Sequence, residues 1–113
     1  MRLMIVLSSS PYNNLNFQEG LDLALTQAAM GHEVGIVLQG LAVHALKEPI
    51  SEKPAGRRNL ARMLASAPLY DMTTLCVLRT NSCSLNSLPP SWCWLESKDV
   101  HDFLESWDEV LFW

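Results

Sequence analysis

The chain holds no CxxC pair and no even set of cysteines; Cys76, Cys83 and Cys93 are all it has. An odd and dispersed set is neither a disulfide framework nor a structural zinc site. Three free thiols in a reducing, cytoplasmic setting are therefore expected. Long apolar runs are missing as well, since none reaches the ~20 residues that span a bilayer, and no membrane association is expected. The short run Met1-Arg2-Leu3-Met4-Ile5-Val6-Leu7 breaks into Ser8-Ser9-Ser10-Pro11 without a small-x-small cleavage site, which fits a first strand better than a signal peptide. Basic residues are few. Eight Lys and Arg against twelve Asp and Glu give a net charge of −4, so direct DNA binding, which needs a basic field, is not expected. Glycine is scarce, and none occurs before Gly20. The loop from Ser8 to Asn14 thus lacks the residues that let a backbone cradle a phosphate or a flavin, and an ordinary serine-rich turn is expected there. His32, His44 and His101 show no helical ligand spacing. Neither a cofactor nor a metal is expected.

Apolar residues, by contrast, are plentiful. They make up 49% of a chain of 113 residues, a length that suits one domain, residues 1–113, and not two. A domain this small has little interior, so part of its apolar surface is expected to meet a partner.

The apolar pattern alternates between two periods. Leu3 to Leu7 reads as a strand covered on both faces. Phe17, Leu21, Ala24, Leu25 and Ala28 then form one helical stripe, with Asn16 as N-cap, Glu19 completing a capping box and Gly31 as the stop. A second strand follows over Glu33 to Gln39, then a short helix over Ala42 to Leu46 and a surface loop over Lys47 to Gly56. Leu60, Met63, Leu64 and Ala67 mark another helix, ended by Pro68. Thr73 to Leu78 is a third strand and Trp92 to Leu95 a short fourth. Ser97 caps a last helix, whose Val100, Phe103, Leu104 and Trp107 share a face, and Glu109 to Trp113 is a terminal strand. Strands alternating with helices imply a three-layer α/β/α fold around a mostly parallel five-stranded sheet.

In such sheets the working edge lies beyond the carboxyl ends of the strands. Of the three cysteines, Cys76 falls inside a strand and Cys93 between two tryptophans, so both read as core thiols. Cys83 lies in the loop leaving the third strand, at the expected working edge. Arg79, close in sequence, would favour its thiolate. That makes Cys83 the candidate catalytic residue, as a thiol that accepts and passes on sulfur. His44 is placed to reach the same edge. Arg57, Arg58 and Arg62, with Lys53 upstream, form a charged helix edge that reads as a solvated face.

Several local motifs in this order resemble the DsrE/DsrF-like family, and most of all its TusC (DsrF-type) branch. They are Ser9-Ser10-Pro11 after the first strand, Glu19-Gly20-Leu21-Asp22-Leu23-Ala24-Leu25 in the first helix, Leu69-Tyr70-Asp71 before the third strand, and Trp107-Asp108-Glu109-Val110-Leu111 at the close. The resemblance implies a subunit of a sulfur-relay heterohexamer with TusB- and TusD-like subunits. Such a complex takes persulfide sulfur from donor proteins and hands it to acceptors, in one branch toward 2-thiolation of the tRNA wobble uridine. It also implies that the main carrier cysteine belongs to the TusD-like subunit. Counted from Tyr70-Asp71, that cysteine would fall near Leu78 or Arg79, where this chain has none, so an accessory role is implied. The alternatives are a DsrE-like sulfurtransferase that carries persulfide on Cys83, or a DsrF-type subunit in sulfur oxidation.

Overall fold

The computed structural model describes residues 1–11, 15–46, 60–81, 83 and 85–113, without the side chains of residues 60–62. The predicted loop from Lys47 to Gly56 and the basic edge of Lys53, Arg57, Arg58 and the Arg62 side chain lie outside the described residues.

β1 (Arg2–Leu7) is buried from Leu3 onward, and its side chains alternate between two cores. Leu3, Ile5 and Leu7 face one side, Met4 and Val6 the other. β2 (Glu33–Leu38) repeats the division, with Val34, Ile36 and Leu38 on the first face and Val37 on the second. β3 (Thr74–Arg79) continues it with Leu75 and Val77 against Cys76. β4 (Cys93–Glu96) and β5 (Glu109–Phe112) complete a five-stranded sheet in the order β4-β3-β2-β1-β5. Every pairing is parallel, so the expected mostly parallel sheet is wholly so.

α1 (Asn16–Ala29) lays Phe17, Leu21 and Ala24 on the first face, as its stripe requires. The N-cap, however, is not Asn16. The N-cap position belongs to Leu15, which has no side-chain cap, and Leu15 takes the backbone N–H of Glu19 at 2.8 Å through its carbonyl. The stop is as expected, because Gly31 adopts φ +93°, a conformation that favours glycine. α2 (Leu60–Ala65) and a 3₁₀ turn over Ala67–Tyr70 cover the same face. The second face is covered by a shorter piece, a 3₁₀ turn at Ser97–Asp99 running into α3 (Val100–Glu105), whose Val100, Phe103 and Leu104 pack there with Trp107. Ser97 does not cap α3. Its hydroxyl donates instead to the Arg79 carbonyl at 2.9 Å, tying the ends of β3 and β4 together.

Candidate functional site

All five strands are parallel, so their carboxyl ends share one edge of the sheet, and the site is built there. Leu7 and Leu38 end β1 and β2 side by side. The Gln39 backbone N–H donates to the Leu7 carbonyl at 3.0 Å, and its side-chain amide donates to the Ser8 hydroxyl at 2.8 Å. Gly40 follows at φ +56°, a left-handed turn that redirects the chain into a 3₁₀ segment over Gly40–Leu46. In this segment side chains three apart fall one above the other. Ala42 and Ala45 are buried, while Leu41 and His44 line a cleft of about 320 Å³.

The rest of the lining comes from the exit of β3. Leu78, Thr80 and Cys83 line it, and the Cys83 backbone N–H closes a turn onto the Thr80 carbonyl at 3.1 Å. Cys83 is half-buried, with its side chain against the first-face core. A thiol and an imidazole thus line the same cleft. The thiolate is the form of a cysteine that attacks sulfur.

Arg79, the last residue of β3, has two partners on β4. Its Nε donates to a Glu96 carboxylate oxygen at 2.9 Å, and its guanidinium lies 4.1 Å from the centroid of the Trp94 ring. It lines an open cleft with Thr80, Asn81, Glu96, Ser97 and Lys98, and its charge is paired with Glu96. An exposed ion pair of this kind contributes about 0–1 kcal/mol.

The remaining sequence candidates are dispersed. His101 is exposed on α3, 3.1 Å from Glu105, and His32 is half-buried after the α1 stop. One donor atom each of His101, Asp102 and Glu105 lie within 4.8 Å of one another, all in solvent. Cys76 is buried as expected, but Cys93 is exposed. β4 is an edge strand, with no strand beyond it among the described residues, and the flanking tryptophans turn to the other face of the sheet, where both are half-buried.

Burial, and then the neighbouring Cys93 thiol, push the Cys76 thiol up to about 12 from an ordinary 9.0. A thiol held protonated by folding contributes stability that is intact below pH 9.0 and is lost as pH rises toward about 12. The reduced protein is therefore expected to lose denaturant resistance across that alkaline window. Cys76→Val, which removes the titrating group, is expected to flatten that part of the pH profile; an unchanged slope would show that Cys76 does not cause it.

No helix among the described residues is long and apolar enough to cross a membrane. The sequence profile of the DsrE/DsrF-like family matches residues 1–79. The chain is also similar in fold to the ychN protein from E. coli, whose crystal structure superposes with a TM-score of 0.78 at 19% identity, covering 99% of this chain and 98% of that one. No curated protein matches the sequence.

Proposed function

This chain belongs to the DsrE/DsrF-like family, and on that premise we propose that it is a TusC-like accessory subunit of a cytoplasmic sulfur-relay complex. The family supports a role connected with sulfur relay. The observation that carries the accessory reading is the exit of β3. Where the family's carrier thiol would fall stand Leu78, part of the cleft wall, and Arg79, held by Glu96 and Trp94. Neither side chain can hold sulfur. Its partners are TusB- and TusD-like subunits in a heterohexamer, with the TusD-like subunit carrying the persulfide toward tRNA wobble-uridine 2-thiolation. Apolar side chains left in solvent are consistent with a surface that partners cover, notably Leu69 at 84% exposure and Phe112 at 66%.

A second reading is favoured by one specific observation, that the Cys83 thiol and the His44 imidazole line the same cleft. In that reading Cys83 accepts sulfur itself. Reconstituting the relay with TusB- and TusD-like subunits, a persulfide donor and an acceptor separates the two. Transfer is expected to fall at least about tenfold when this chain is omitted and to stay within about twofold of wild type with Cys83→Ser, since a chain that organises need not attack sulfur. Loss of transfer with Cys83→Ser would replace the accessory reading by the catalytic one.

A further inference from the structure

The Cys76 and Cys93 thiols lie on the sheet face opposite the first-face core against which Cys83 packs, and neither reading above uses them. They are direct partners in the β3–β4 ladder, and their sulfurs are 3.4 Å apart. Neighbouring strands run about 4.8 Å apart, inside the roughly 4.4–6.8 Å of Cα separation that a disulfide spans. The sulfurs thus need to approach by only about 1.4 Å to reach bonding distance. The backbone that would have to carry the bond is already in register.

The two thiols differ in a way that orders their chemistry. Cys93 is exposed at the start of the edge strand, and Cys76 is 3% exposed beneath it. Only Cys93 is reachable by a reagent from solution. Only Cys76 is near enough to displace what Cys93 acquires.

We propose that Cys76 and Cys93 form a thiol–disulfide exchange site for low-molecular-weight disulfides, with Cys93 the entry thiol and Cys76 the resolving one. In the first step the Cys93 thiolate attacks one sulfur of RSSR. A mixed disulfide forms on Cys93, and RS⁻ leaves and takes up the proton that Cys93 gave to solvent. In the second step Cys76 gives its proton to solvent and attacks the Cys93 sulfur. The cross-strand disulfide forms, and the second RS⁻ departs to be protonated. Two cysteine thiols are oxidised and one RSSR is reduced to two RSH, with no further reactant. The second step is slow near neutrality and quickens with pH, because burial holds Cys76 in its thiol form.

The test uses reduced full-length protein carrying Cys83→Ser, treated with glutathione disulfide, quenched with acid and mapped by mass spectrometry. The expected course is a transient glutathione adduct on Cys93, replaced by a Cys76–Cys93 linkage that has lost two hydrogens. Its closure rate is expected to rise about tenfold per pH unit between roughly 7 and 9. Adding Cys76→Ser should leave the adduct on Cys93 permanently. Adding Cys93→Ser instead, a change at an exposed position, should abolish labelling of the folded protein. A lasting Cys93 adduct with Cys76 intact, or labelling of Cys76 without Cys93, would overturn the proposal. So would a failure of either thiol to react.

Discussion

Phe17→Ala is expected to destabilise the domain by about 3–5 kcal/mol, the usual range for removing a fully buried phenylalanine. Phe17 is wholly buried in the first turn of α1 and belongs to the core formed with β1 and β2. Its side chain is fully buried in that core, so truncation removes its contacts and leaves a void. Against a total stability of about 5–15 kcal/mol for a typical domain, such a loss is severe. Urea unfolding followed by circular dichroism measures it as a fall in midpoint with little change in slope. A loss below about 1 kcal/mol would mean that α1 is not packed as described.

The second large effect is expected at Gly35, in the middle of β2. A Cβ there would lie 2.7 Å from the end of the Met4 side chain, 3.0 Å from the Trp107 ring and 3.1 Å from the Thr74 carbonyl oxygen. The methionine end can swing away. The indole and the backbone oxygen cannot, because Trp107 is packed on this face and Thr74 pairs with Gly35 in the β2–β3 ladder. Gly35→Val is therefore expected to cost at least about 1–3 kcal/mol through overpacking, despite the better strand propensity of valine. Equal or greater stability in the variant would contradict the position of Trp107 over β2. Gly31→Val makes a useful contrast, since nothing lies within 4 Å of a Cβ there and only the left-handed backbone resists.

The parts of this fold that rest on local chemistry were legible in the residues. Leu3 to Leu7 declared a strand buried on both faces, and Phe17, Leu21 and Ala24 declared the helix that covers it. Gly31 stopped that helix for the reason its φ angle shows. Local signals failed where a second partner competed for the same group. Ser97 carries the chemistry of an N-cap, but the Arg79 carbonyl takes its hydroxyl. Arg79 is near Cys83 in sequence, and its partners Glu96 and Trp94 lie across a pairing that only the sheet reveals.

The same reasoning explains what could be read of the site. Cys83 was visible as a thiol at the exit of a strand, and His44 as a residue beside another. That they face one cleft depends on the left-handed turn at Gly40 and the 3₁₀ segment after it, where a period of three replaces the α-helical one. The nearness of Cys76 and Cys93 had no local signal at all. It follows from the register of β3 with β4, set across a connection whose sequence is rich in serine and proline, and no spacing rule relates two cysteines so joined. The family profile ends at Arg79, short of both Cys83 and Cys93.

Assembly is the claim on which the functional reading stands. The direct measurement is native mass spectrometry of this chain mixed with purified TusB- and TusD-like subunits at micromolar concentration. Conversion of the free chain into one heteromeric species containing all three subunits in equal number is the expected result. A chain that remains free in the presence of both partners would contradict it.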